Sequence, residues 1–233
     1  MKKKKPLWNG KYRPEDITPE YIQSLSMLDA LNLCKWMNAY NSTKVKYNKG
    51  NGVSPVAFIF ACPGQKEEIA GRVVAGATGK NLDRLLAVLS GSSNEQIKTL
   101  FPSTNRYDYL ITNASEIIHY PALDDLSLPS KKEYAEEGNI KRLCEELSDI
   151  KYVFAFGQQA KDVSLLVDKE LQRENLSPRP IFIRSLPHLS FLALNQIKED
   201  VNGMDIVKGD PDATEKRLQV VANKIEREIC SVL

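Results

Sequence analysis

Only two imidazoles occur in the 233-residue chain, His119 and His188, so chemistry that needs a neutral N–H donor or a base near pH 7 has two places to come from. In Cys62-Pro63-Gly64-Gln65-Lys66-Glu67-Glu68 two adjacent carboxylates follow a turn, where either one can serve as a general base toward water. Gly71, Gly76 and Gly79 come next and keep the backbone free of bulk, as a loop needs when it approaches a phosphate or a planar ring. Asn113 ends the run Ile111-Thr112-Asn113, and its amide carries a donor and an acceptor together. The stretch GATGKN invites a phosphate-loop reading. That motif needs Gly where Val74 stands and Ser or Thr where Asn81 stands, so a nucleoside-triphosphatase is excluded. The four cysteines, Cys34, Cys62, Cys144 and Cys230, are dispersed with no CxxC spacing. Reduced thiols of a cytoplasmic protein are expected, with no metal and no cofactor.

These residues have to be positioned by something, and the apolar pattern says what. Four short apolar runs, Val56–Ala61, Tyr107–Thr112, Tyr152–Gly157 and Ile181–Ser185, are separated by segments of helical period. Strands buried on both faces and spaced by helices form a parallel sheet, and ligands of such sheets bind beyond the carboxyl ends of the strands. Helices are expected at Asn81–Leu89, around Ile140–Leu147, at Gln158–Val167 and near Thr214–Val232, the last with one apolar stripe through Leu218, Val221, Ile225 and Ile229. One further amphipathic helix is expected from Tyr21 to Trp36 with Thr18 as its N-cap, followed by a polar loop over 41–54. The fold class is α/β, in a single domain over 1–233: a basic tail, helix and loop in 1–50, a core bearing the chemistry in 55–192 and a C-terminal helix in 210–233. With 32 Lys+Arg against 30 Asp+Glu the net charge is +2, which neither requires nor forbids nucleic acid. The run Lys2–Lys5 reads as a solvated tail, with no apolar stretch behind it to make a signal peptide, and no run is long enough to span a membrane.

At the strand ends the sequence resembles the uracil-DNA glycosylase superfamily, most closely its iron–sulfur-containing bacterial and archaeal branch. The first motif of that branch, GEAPGxxEDxxGxPFxGxxGxLLDxxL, is met in register by Pro63-Gly64, Glu67-Glu68, Gly71-Arg72, Gly76, Gly79 and Leu82-Asp83. Ile111-Thr112-Asn113 matches the second motif, YVFAFGQQA resembles a strand that usually reads ivaLGxxA, and His188-Leu189-Ser190 resembles a His-Pro-Ser motif. The resemblance implies a three-layer α/β/α sandwich around a four-stranded parallel sheet, acting on DNA, with a monomer expected. It implies that Asn113 reads the edge of an extruded pyrimidine and that His188 aims an N–H at the base oxygen where negative charge develops. Ser190, Ser185 and the amides near Gly64 and Gln65 would grip flanking phosphates, with Lys44, Lys46, Lys49, Lys66, Arg72 and Lys80 as further backbone contacts. His119 reads as a loop residue without a role.

The departures from the family are informative. Positions where different branches keep a water-positioning acid or amide are Ala61, Cys62 and Ala77, which leaves Glu67 and Glu68 as the candidate bases and Cys62, with Pro63, as a small wall of the pocket. The ring expected to stack on uracil is replaced by Val74, close to Gly76, and the cluster cysteine after the second motif is Ile117. Loss of a stacked ring removes roughly 1–3 kcal/mol of base binding while widening the pocket. The expectation is a glycosylase without iron–sulfur that takes a modified or bulky pyrimidine, including bases of phage DNA. The alternative is a module that keeps the pocket and binds DNA without hydrolysis.

Overall fold

A computed structural model describes residues 17–41, 43–175, 177–207 and 209–232, apart from the side chains of 35, 36, 38–41, 43 and 44. The basic run Lys2–Lys5 lies outside the described residues, as does the side chain of Lys44. In chain order the elements are α1 (Pro19–Gln23), α2 (Met27–Asn41), α3 (Thr43–Lys46), β1 (Val56–Phe60), α4 (Gln65–Ala70), α5 (Ala77–Ser90), α6 (Glu95–Leu100), β2 (Leu110–Asn113), α7 (Pro121–Asp124), α8 (Lys131–Tyr134), α9 (Glu137–Glu146), β3 (Tyr152–Phe156), α10 (Gln158–Arg173), β4 (Ile181–Leu186), α11 (Phe191–Leu194) and α12 (Ala213–Cys230).

The strands form one parallel sheet in the order β2-β1-β3-β4, with β1 and β3 in the middle and buried at every residue. Alternation along each central strand feeds two cores. Val56, Phe58 and Phe60 of β1 and Tyr152, Phe154 and Phe156 of β3 face a cluster closed by α5 and α12. Ala57, Ile59, Val153 and Ala155 face a second cluster closed by α9 and α10. Helices on both faces of the parallel sheet that the apolar runs imply make the three-layer α/β/α sandwich that the resemblance implies. Each fully buried Phe or Leu of these clusters contributes roughly 1.5–3 kcal/mol. Among the described residues no helix is long and apolar enough to cross a membrane.

Three local expectations are corrected. The N-terminal helix is two helices: Ser26 Oγ accepts from Asp29 N at 3.2 Å and starts a new helix after α1, whose own N-cap is Thr18 as read. A serine that caps its own downstream amide interrupts a helical stripe that the apolar spacing alone would continue, and Leu28 and Leu31 stand exposed. The loop over 41–54 contains α3, and its Asn48 makes a two-bond antiparallel bridge to Ile111 at 2.8 Å each way, covering the outer edge of β2. The second strand begins three residues late, because Arg106–Asp108 is a 3-10 turn capped by Asn105.

Candidate functional site

The parallel register puts the ends of β1 and β2 side by side, Phe60 opposite Asn113, and the chains stay tied beyond the sheet: Ala114 N donates to Phe60 O at 2.7 Å and Ser115 N to Ala61 O at 3.0 Å. On the other flank of β1, Gly157 follows β3 and its N–H donates to the carbonyl of Leu186, the last residue of β4, two residues before His188. Asn113 and His188 therefore stand on opposite sides of Phe60 at the carboxyl end of the sheet.

His188 is seated by shape. Its ring meets Phe60 edge-on, centroids 6.0 Å apart, and Phe60 is stacked on Phe156 at 5.3 Å. Gly157 closes the seat with φ +90, a backbone strained for any side chain, and a Cβ there would crowd His188 Cβ at 3.3 Å. Ser190 N–H donates to His188 Nδ1 at 3.1 Å. A backbone amide only donates, so Nδ1 is unprotonated and the ring's proton sits on Nε2. Burial holds the imidazole below its ordinary pKa, and the nearby Glu67 carboxylate opposes that shift without reversing it. The result is a neutral N–H donor in a half-buried aromatic seat.

Asn113 is 3% exposed and is held at both ends. Its Nδ2 donates to Lys46 O at 3.0 Å, which fixes the amide's orientation, because a carbonyl can only accept, and leaves Oδ1 as the amide's acceptor. Lys46 is itself buried, at 8% exposure, and burial lowers its pKa.

The first-motif residues are tied to one another and to neighbouring backbone. Both oxygens of Glu67 accept from backbone amides, Oε2 from Gly64 at 3.0 Å and Oε1 from Gly76 at 3.3 Å, so one carboxylate ties the two turns together. The Gly64 amide, expected at a phosphate, is engaged here. Glu68 accepts from Tyr120 Oη at 2.5 Å. Gln65 opens α4 and is exposed, while Pro63 is buried and its carbonyl accepts from His119 N at 3.0 Å. Val74 lies 6% exposed in the same buried cluster as Phe60 and Leu189, with φ +40, which is strained for a β-branched residue. Its carbonyl oxygen rests where a Cβ on Gly79 would come to 1.7 Å, so Gly79 is what admits this turn. Asp83 forms an ion pair with the buried Arg106, which with Arg72 sandwiches the Tyr107 ring at 4.6 and 4.9 Å, and Tyr107 Oη donates to Val73 O at 3.1 Å. Arg72, expected on DNA, is thus stacked on an aromatic face.

Cys62 is partly buried with Sγ 4.0 Å from Ser127 O. Burial first, then Glu133, Asp124 and Glu67, pushes its thiol up to about 12, so it stays protonated and is a neutral wall residue. Ser190 caps α11, its Oγ accepting from Ala193 N at 3.3 Å, and Ser185 donates to Glu228 at 2.8 Å. Lys66 and Lys80 are exposed.

Sequence reasoning missed the partners of His119. Its ring is fully buried, with Nδ1 2.5 Å from Asp124 Oδ2 and Nε2 facing Glu133 Oε1 at 3.4 Å. Burial alone would lower its pKa, but Glu133 and Asp124 outweigh that and raise it. With Tyr120–Glu68 and His119–Pro63, this charged knot straps the segment after β2 onto the first motif. A polar segment with His, Asp and Glu five and nine residues apart was the only signal, and it has no period. Gly157 and Phe60 were also missed as the seat of His188, although the glycine was visible in the third run.

A comparison with curated proteins finds no match for the chain. The family model of the uracil DNA glycosylase superfamily matches residues 48–207, from just before β1 to past α11, and so spans all four strands together with Asn113, Gly157 and His188. Members of that family generally hydrolyse N-glycosidic bonds in DNA, and with this match over most of its length the chain belongs to the uracil DNA glycosylase superfamily.

Proposed function

We propose that the protein is a monofunctional DNA glycosylase that hydrolyses the N-glycosidic bond of an extruded pyrimidine, and that its base is modified or bulky, as in phage DNA, rather than strictly uracil. The observation that carries this reading is the pairing of a neutral His188, proton on Nε2, with the oriented amide of Asn113 across the end of β1. As the glycosidic bond breaks, electrons collect on the departing base. A hydrogen bond to a charged oxygen is roughly twice as strong as one to a neutral oxygen, so a donor fixed beforehand favours the transition state over bound substrate. One such donor contributes on the order of 100–1,000-fold in rate. Asn113 reads the pairing edge through Oδ1, as an acceptor for a base N–H.

Of the two candidate bases, Glu67 is the better placed to hold the attacking water: the two main-chain amides fix it, lone pairs remain on both oxygens, and its charge is felt at both His188 and Cys62. Glu68 serves the strap through Tyr120 unless it releases that hydroxyl. Exposed Phe191 and Leu192, immediately after Ser190, give an apolar tip to occupy the stack that the base vacates. A groove of about 500 Å³ that starts at Gly157 and Pro187, apolar along Leu186, Val220 and Val221, carries Lys161 and Lys224 on its walls and offers a path for the phosphate backbone. The modified-base preference rests on Val74 and Cys62, small neutral side chains where relatives by resemblance keep a ring and an acid or amide. We take the protein to act as a cytoplasmic monomer, in repair or in defence against modified phage DNA.

A second reading, binding without hydrolysis, is favoured by the non-acidic Ala61, Cys62 and Ala77. Labelled oligonucleotides carrying uracil or 5-substituted pyrimidines, incubated with the protein and then treated with alkali, separate the two. Scission at the modified position supports the glycosylase. Retained binding without scission at high protein supports the binding module, and equal inactivity and equal binding on all probes contradict both.

A further inference from the structure

A dense polar grip stands behind Asn113, on the side away from β1. Arg142, on α9, donates from Nη2 to Asn113 O at 3.0 Å and from Nη1 to Thr112 Oγ1 at 3.1 Å. The same Nη1 reaches both oxygens of Glu146 at 2.8 Å, and Thr112 Oγ1 in turn donates to Glu146 Oε2 at 2.6 Å. Asn139 accepts from Arg142 Nη2 at 2.7 Å, and its own Nδ2 donates to Ala114 O at 2.8 Å and to Tyr134 O at 2.9 Å. Three consecutive residues at the end of β2, Thr112, Asn113 and Ala114, are thus held from one helix, one hydroxyl and two carbonyls at a time. The Arg142 and Glu146 side chains are 18% and 14% exposed, sheltered enough for these charge-assisted bonds to hold their geometry.

The strand would pair without this apparatus. Ladder bonds to β1 already fix its register, and a helix can pack on β2 through Ile140 and Leu143 alone. What the grip adds is a fixed direction for the Asn113 carbonyl, hence for its Cα–Cβ bond, while Lys46 O fixes the amide at the far end. With both ends held, Oδ1 keeps one place.

We propose that Arg142 is a positioning residue for Asn113: it sets how well the site tells one base edge from another, and leaves attraction to the DNA backbone unaffected. This rests on the base-reading role proposed for Asn113. A planar guanidinium that bonds a carbonyl, a hydroxyl and a carboxylate together is not replaced by an ammonium, so Arg142→Lys keeps the charge and loses the bridge.

The test uses the full chain with Arg142→Lys, Arg142→Gln, Asn113→Ala and the double variant Arg142→Gln/Asn113→Ala. Binding is measured to oligonucleotides carrying a pyrimidine from the panel above and to the same oligonucleotides carrying a tetrahydrofuran abasic analogue. Both Arg142 variants are expected to weaken binding of the base-bearing probe on the order of tenfold, to leave the abasic probe within about twofold, and to add nothing when Asn113 is already Ala. An equal loss on both probes, or a loss that persists in the Asn113→Ala background, overturns the proposal and makes Arg142 a packing residue. The Asn113 side-chain amide resonance, followed by 15N NMR without DNA, separates this failure from failure of the glycosylase reading. Faster hydrogen exchange of that amide in Arg142→Gln, in an otherwise unchanged spectrum, supports the positioning role whatever the protein does to DNA; an unchanged rate overturns it.

Discussion

His119 and His188 flank the same first-motif turn and have been given opposite surroundings. Around His119 are carboxylates: Asp124 at Nδ1, Glu133 beyond Nε2, with Tyr120 and Glu68 alongside. Around His188 are Phe60, the bare backbone of Gly157 and one amide N–H. The His119 ring is fully buried and His188 partly so, and burial penalises the imidazolium of each. The carboxylates overcome that penalty at His119 and raise its pKa; nothing of that strength does so at His188, and its pKa falls. One histidine is therefore drawn toward its charged form by the carboxylates of a strap, the other held toward a neutral donor available to a ligand. Neighbours, rather than burial, divide structure from chemistry.

The comparison is broken most severely by His119→Ala. It leaves Asp124 buried with its imidazole partner gone and Glu133 facing the gap, and removing one partner of a buried pair costs about 3–5 kcal/mol. Thermal denaturation at pH 6 should show a Tm lower by about 10 °C. The sign with pH follows from the raised folded value: the His119 contribution is complete below the ordinary imidazole pKa and is lost as pH rises through the folded one, so the deficit of the variant should shrink in alkaline buffer. A deficit that grows with pH would mean that the ring is neutral in its carboxylate nest.

Gly157→Ala acts on the other histidine. The φ of +90 costs an alanine about 1–3 kcal/mol, and the new methyl presses on His188. Displacing a positioned group by a fraction of an ångström lowers rates by about 10–100-fold. Base release should therefore fall by more than the modest drop in Tm explains, and a variant that loses stability but releases base at the wild-type rate would show that the seat does not matter.

The smallest effect is expected at Cys62. With its thiol pushed up to about 12, it should resist iodoacetamide at pH 7.5 while the exposed Cys34 and Cys230 are alkylated, and Cys62→Ala should change base release by less than about threefold. Rapid labelling at Cys62 would place a thiolate, and a different chemistry, at the first motif.

The strands and most helices were legible because burial on both faces writes continuous apolar runs, and because α12 repeats its stripe every three or four residues. The first motif was legible as glycines at fixed spacing, and the structure gives those spacings physical content in the Val74 carbonyl resting against Gly79. Glu67 was legible as a carboxylate after a turn. Its attachment to the Gly64 and Gly76 amides was not, since nothing in residue type announces which backbone groups a side chain will reach. The grip of Arg142 on Asn113, 29 residues away, and the knot of His119 with Asp124 and Glu133 are likewise long-range polar contacts without period. The split between α1 and α2 was missed because apolar spacing outweighed two serines.

The central claim is that His188 works as a neutral donor to a departing base. It is tested most directly by the pH dependence of single-turnover base release on the pyrimidine that the scission panel identifies. The lowered pKa predicts a rate that rises to a plateau with a midpoint below the ordinary imidazole value and stays flat from pH 7 to 8.5. A rate that falls with rising pH across pH 6–8 would make the imidazolium the working form, and would contradict the account.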